Sequence, residues 1–139
     1  MKKTITSILL VITCLFSLVS CGNSADNVSL WENATYLEDT VLGEGEKTFV
    51  LEVTAEEKTV AFTIKTNEKT VGAALFEQGL IEGERGEYGL YTKVVNGITA
   101  DFDVNKRYWA FYINGEYATA GVDTTEITEG TVYQLVYSK

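Results

Sequence analysis

The chain contains no histidine. That removes the imidazole general base, the commonest nitrogen ligand for metals and the usual axial ligand of haem. Proline is absent as well. Cysteine is scarce, with Cys14 and Cys21 alone, too few to hold a metal cluster by themselves. Methionine occurs only as Met1, so a haem would find no ordinary axial partner except tyrosine. Positive charge is in short supply: 11 Lys and Arg stand against 20 Asp and Glu, a net charge of −9. A nucleic-acid binder needs a basic patch, so that class is excluded. No Gly-rich phosphate loop, serine-nucleophile motif or metal-spaced Cys or His set occurs. With most enzyme chemistry removed, the chain reads as non-enzymatic, with no metal site and no nucleic-acid partner.

What is present points to one small β-rich domain. A length of 139 residues suits a single core plus extensions. Aromatics make up 12%, eight of them Tyr, and 12 Gly supply turns.

Lys2 and Lys3 precede an uncharged run from Thr4 to Leu18, and Gly22-Asn23-Ser24-Ala25-Asp26 follows soon after. The run is too short for a membrane span, which needs about 20 apolar residues, and reads as a secretory signal peptide over residues 1–20. Leu18-Val19-Ser20-Cys21 resembles the bacterial lipobox. The resemblance implies cleavage before Cys21 and diacylglycerol on its sulfur, giving an extracytoplasmic, membrane-anchored lipoprotein at a bacterial cell surface or envelope. Each buried CH₂ of such an anchor contributes about 0.8 kcal/mol. Loss of Lys2 and Lys3 leaves 9 basic and 20 acidic residues, a net charge of −11. With Cys14 removed and Cys21 blocked, no disulfide can form.

Residues 21–46 read as the lipidated Cys and a polar, acidic, flexible tether. Trp31 and Tyr36 are unusual for a tether; they either lie back on the domain or help to close a ligand cleft. The domain then spans 47–139. Phe49, Leu51 and Val53 alternate, as do Val60, Phe62 and Ile64 beyond a short polar loop, the pattern of a β-hairpin. Val71, Ala74, Leu75 and Gln78 fall at helical spacing, with Thr66, Asn67 and Thr70 as cap candidates and Gly79 as the stop. Leu80 and Ile81 would pack beneath that helix. Residues 82–89 read as a turn-rich connection. Strands are predicted at 90–95, within 98–106, at 107–113, from Glu116 to Ala120 and at 131–137, with Asn96-Gly97 and Asn114-Gly115 as two-residue hairpin turns. The pattern predicts an α+β, β-grasp-like two-layer domain: a mostly antiparallel sheet with one short helix.

Tyr108-Trp109-Ala110-Phe111-Tyr112-Ile113-Asn114-Gly115-Glu116, with Val95-Asn96-Gly97-Ile98 before it and Gly121-Val122-Asp123 and Tyr133 after it, resembles the DUF4430 family. That family is similar to the C-terminal β-domain of transcobalamin and intrinsic factor. The resemblance covers residues 47–139 and implies a non-catalytic extracellular domain. In the transcobalamin group the equivalent domain contacts one side of a corrinoid, so the implied cofactor is cobalamin or another corrinoid. Transcobalamins also carry a helical barrel, which this chain lacks; a helical partner domain or an uptake transporter would have to supply the other side. The other function class is a non-catalytic surface module that docks a protein or a glycan.

Strand register supplies candidate ligand-binding residues. A two-residue turn at Asn114-Gly115 sets Ile113 opposite Glu116, Tyr112 opposite Tyr117 and Phe111 opposite Ala118. Trp109, Phe111 and Ile113 then face the core; Tyr108, Ala110 and Tyr112 face out and, with Tyr117, form a flat aromatic platform suited to a planar ligand. Trp109 replaces them as the exposed anchor if the faces are inverted. Ala118 and Thr119 are small enough to admit a ligand to the backbone. Aromatic cross-strand pairs also stabilise sheets without any ligand. Asp101, Asp103 and Asn105 resemble the opening of a calcium loop, but Lys106 and Tyr112 stand where its glycine and closing glutamate belong. Asp123, Glu126 and Glu129 read as a solvated acidic loop.

Overall fold

A computed structural model describes residues 28–139. The predicted signal peptide, Cys21 and the start of the predicted tether lie outside the described residues.

The chain enters on a 3₁₀ turn, Leu30–Asn33, followed by β1 (Thr40–Gly43). The predicted hairpin forms as β2 (Lys47–Ala55) and β3 (Lys58–Thr66). Its inward residues Phe49, Leu51, Val53, Val60, Phe62 and Ile64 are all buried. Helix α1 (Val71–Glu77) begins at Thr70, whose hydroxyl accepts from the Ala73 amide at 3.2 Å. Its buried Val71, Ala74 and Leu75 face the sheet, and Leu80 and Ile81 pack with them. Gly72 lies where α1 meets the loop at Val122–Thr124; a Cβ there would stand 2.8 Å from Asp123 Cα.

Three strands form a separate small sheet: β4 (Ile81–Gly86), β5 (Gly89–Val95) and β6 (Ile98–Thr99). After the one-turn helix α2 (Phe102–Asn105), the chain returns to the main sheet through β7 (Tyr108–Ile113), the two-residue β8 (Glu116–Tyr117) and β9 (Val132–Ser138). The main sheet runs β1-β3-β2-β9-β7-β8. Two of its pairs are parallel, β1 with β3 and β2 with β9; the others are antiparallel. A hairpin, a crossing helix and a final strand set beside the first in parallel is the β-grasp arrangement, as expected.

Three sequence expectations change. The sequence predicts a tether through residue 46, yet Leu30–Asn33 forms a 3₁₀ turn and Thr40–Gly43 pairs with β3 as part of the main sheet. Trp31 is buried and its Nε1 donates to the Ala55 carbonyl at 2.9 Å, while Tyr36 meets Phe62 edge-on at 5.6 Å. The connection at 82–89 is mostly strand. Five of the six β4 residues are exposed, so no apolar alternation marks it. The Asp123 carboxylate is not solvated: its side chain is only 13% exposed and accepts from the Leu90 amide at 3.2 Å.

Candidate functional site

The Asn114-Gly115 turn adopts the positive φ values it favours, 50° and 85°. The expected register follows: Ile113 pairs with Glu116 and Tyr112 with Tyr117, and the Ala118 amide donates to the Phe111 carbonyl at 2.9 Å. β8 then stops, and residues 118–121 leave the sheet. A cleft of about 550 Å³ opens at this edge. Trp109 and Phe111, both nearly buried, form its floor. Ala118 to Gly121 and Thr124 line one wall; Tyr88, at the tip of the β4–β5 hairpin, lines another. Tyr88 is 97% exposed and Tyr117, on the rim, 62%. Among the described residues, none that lines the cleft is charged. An adjoining depression of about 530 Å³ shares Tyr117, Ala118 and Thr119 and adds Ile113, Asn114 and Glu116.

The structure thus brings Trp109, Tyr117, Ala118 and Thr119 together at the cleft, while Tyr108 and Tyr112 do not line it, although Tyr112 packs against Tyr117. Tyr112 lines a shallow hollow of about 200 Å³ with Gly115, Gln134 and Val136. Tyr108 lines none of these hollows. The flat platform is also corrected. The Tyr112 and Tyr117 rings are 5.4 Å apart at 87°, edge to face, the preferred geometry of an aromatic pair and unsuited to stacking one planar ligand on both. Ala110, expected to lie open between rings, is buried. Trp109 and Phe111 join the core as assigned, with Trp109 Nε1 donating to the Ile98 carbonyl at 3.3 Å. Neither Trp31 nor Tyr36 lines the cleft.

Sequence reasoning missed Tyr88. Its signal was a lone aromatic in a turn with glycine on both sides, Gly86-Glu87-Tyr88-Gly89. It also missed what holds Tyr88 in place. Asp123 accepts from Leu90 and pairs with Arg85 at 3.5 Å, tying the hairpin beside the 118–124 wall. Lys93 secures the same hairpin by ion pairs to Glu84 at 3.3 Å and Asp101 at 3.4 Å. The hydrogen bond to Glu84, and then Asp101, hold its ammonium above the ordinary value of 10.5, with desolvation opposing. Asp101 also caps α2 by accepting from the Asp103 amide at 3.0 Å, and Asn105 accepts from Asp101 and Arg107, so the calcium-like triplet is a helix cap. Among the described residues, no group of three His, Cys, Asp or Glu is placed to hold a metal ion.

Comparison with known proteins places these features. The family described as Domain of unknown function (DUF4430) matches residues 68–139, from the approach to α1 through β9. A crystal structure of a Ruminococcus gnavus ATCC 29149 protein, provisionally described as metal binding, is similar at 29% identity and a TM-score of 0.64, covering 68% of this chain and 98% of that one. Haptocorrin in complex with Cbi is similar in fold at 18% identity and a TM-score of 0.55, over 67% of this chain and 25% of haptocorrin. No curated protein matches the sequence.

Proposed function

This chain belongs to the DUF4430 family, and from that premise we propose that it binds a corrinoid-like ligand without catalysis, held at a bacterial envelope by lipid on Cys21. The observation that carries the reading is the cleft beside β7 and β8. In a strongly acidic protein, the described residues that line it are four aromatics, small residues and threonines, none of them charged. Small-molecule sites combine apolar contact with a few placed polar groups; here the rings supply the first and the threonine hydroxyls and loop backbone the second. The likeness in fold to haptocorrin, which was crystallised with Cbi, supports the ligand class. A corrinoid carries its own metal and, in cobalamin, its own axial base, so a protein without histidine needs only apolar contact and hydrogen bonds. Tyr88, Trp109, Tyr117, Ala118 and Thr119 would supply them. The cleft is open, so a helical partner domain or an uptake transporter would cover the ligand's other side. Metal binding, the description attached to the Ruminococcus gnavus protein, has no donor cluster to support it among the described residues.

A second reading, a surface module that docks a protein or a glycan, draws on the outward projection of Tyr88 and Tyr117, since exposed aromatics serve interfaces well. Titration of residues 22–139 with cobalamin and cobinamide, followed by calorimetry and the corrinoid visible spectrum, separates the two. One-to-one binding at micromolar affinity or tighter, weakened about tenfold or more by Tyr117→Ala or Tyr88→Ala, is the expected result. No heat and no spectral change at millimolar ligand, a binding free energy weaker than about −4 kcal/mol, would leave the docking module in its place.

A further inference from the structure

The cleft is edged by main chain as well as side chains. Along an antiparallel strand, a residue's amide and carbonyl point to the same neighbour, and successive residues alternate between the two neighbours. At β7 the even residues serve β9: the Asn114 amide donates to the Val132 carbonyl at 2.8 Å, in step with the pairing of Tyr112 with Gln134 and of Ala110 with Val136. The odd residues point the other way, towards β8, where the Phe111 carbonyl accepts from the Ala118 amide at 2.9 Å. β8 turns off there and never reaches Trp109. Arg107, the next odd residue, has its amide bonded to Asn105 Oδ1 at 3.0 Å. Between these two contacts, the Trp109 amide and carbonyl make no hydrogen bond with any described residue. Trp109 is 7% exposed, lines the cleft floor and has committed its indole N–H to the Ile98 carbonyl. A main-chain pair so placed and unbonded is uncommon, because each such group costs about as much as a lost hydrogen bond.

Elsewhere the same molecule shows what satisfies one residue's amide and carbonyl together. The Asn96 carboxamide accepts from the Tyr36 amide and donates to the Tyr36 carbonyl, both at 2.9 Å. We propose that Trp109 binds a carboxamide of the ligand in the same way, its amide donating to the carboxamide oxygen and its carbonyl accepting from the NH₂. The inference rests on the reading that a small molecule occupies this cleft, and it names the group the cleft selects. A carboxylate has acceptors only and would set an oxygen against the Trp109 carbonyl. Cobinamide carries carboxamides around its rim and haem carries carboxylates, so this edge takes the first class of macrocycle and refuses the second. A partner's β-strand fits less well, since Asn105 and Ala118 close the edge on either side of Trp109.

The test starts from the protein without ligand. By NMR hydrogen exchange, the Trp109 amide should exchange at least about a hundredfold faster than the Ala110 amide, which faces β9. A Trp109 amide as protected as that of Ala110 overturns the proposal. Cobinamide should then slow exchange at Trp109 and leave Ala110 unchanged. Cobinamide monocarboxylates, each with a different single carboxamide hydrolysed, locate the contact. One isomer should bind at least about tenfold more weakly than cobinamide, and the others within about twofold of it. Equal loss for every isomer, the mark of general repulsion by an acidic protein, overturns the proposal, as does loss for none. If neither cobinamide nor its derivatives bind, the corrinoid reading alone fails, and millimolar benzamide and benzoate decide the carboxamide contact. Benzamide should move the Trp109 amide signal and benzoate should not; movement by neither, or by both alike, overturns the proposal.

Discussion

The two sheets of this domain are held by different forces. The six-stranded sheet buries an almost continuous apolar face, from Val60 and Phe62 on β3 to Trp109 and Phe111 on β7. The three-stranded sheet buries little beyond Ile81, Val95 and Ile98 and is fixed instead by directional contacts: Asp123 to Leu90, Lys93 to Glu84 and Asp101, and Asn96 to Tyr36. Apolar burial sets overall stability but tolerates variation in angle; a hydrogen bond sets position but contributes only about 1 kcal/mol net. The cleft lies where the two meet, with its floor on the first sheet and Tyr88 on the second. Stability of the floor and placement of the upper jaw should therefore be separable.

Phe62→Ala gives the largest effect. It removes a fully buried ring that also meets Tyr36, and should cost about 3–5 kcal/mol in urea denaturation, lost cooperatively across both sheets. Loss confined to one sheet would break the comparison. Asn96→Ala comes next. The Asn96 side chain is fully buried, accepts from the Tyr36 amide and donates to the Tyr36 carbonyl, both at 2.9 Å, and its backbone sits at φ 51°. Orphaning those backbone groups should cost about 1–3 kcal/mol and raise hydrogen exchange through residues 30–36 before the β2–β3 hairpin responds. Asp123→Ala should cost about 1 kcal/mol, expose the Leu90 amide to exchange and loosen Tyr88, leaving the Leu51 amide protected. Equal loss of protection at both amides would show that the cleft jaw is not a separate unit.

The smallest effect is a matter of pH. Because the fold raises the Lys93 ammonium above 10.5, the stabilisation it brings is complete below pH 10.5 and disappears as pH rises through the higher folded value. The gap in urea midpoint between the natural chain and Lys93→Met should therefore hold steady below pH 10.5 and narrow above it. A gap unchanged across that window would remove Lys93 from the set of contacts that hold the jaw.

Legibility in the sequence follows the same division. The β2–β3 hairpin, α1 and the Asn114-Gly115 register could be read because period and turn chemistry are local properties. β4 could not, because Glu82, Gly83, Glu84 and Arg85 offer no apolar face. β1 could not, because its partner β3 lies some twenty residues away and pairs in parallel. The pairing of Tyr112 with Tyr117 was legible, but the perpendicular setting of their rings depends on packing around them. Asp123 looked like any loop acid; only the approach of β5 reveals its partner.

The position of β9 carries a consequence for how the chain folds. Of the described strands the last in sequence is an interior one, hydrogen-bonded to β2 on one side and β7 on the other. Until residues 132–138 arrive, the β2–β3 hairpin and β7 have nothing to join them, and the apolar face beneath α1 stays incomplete. Closure depends on contacts spanning some eighty residues, the kind of long-range pairing that slows assembly. A nascent chain without residues 132–138 can pair β1, β3 and β2 and form the three-stranded sheet, but it cannot join β7 to them, so the six-stranded sheet appears in one late step. A stop codon before Thr131 would be as damaging as one far upstream.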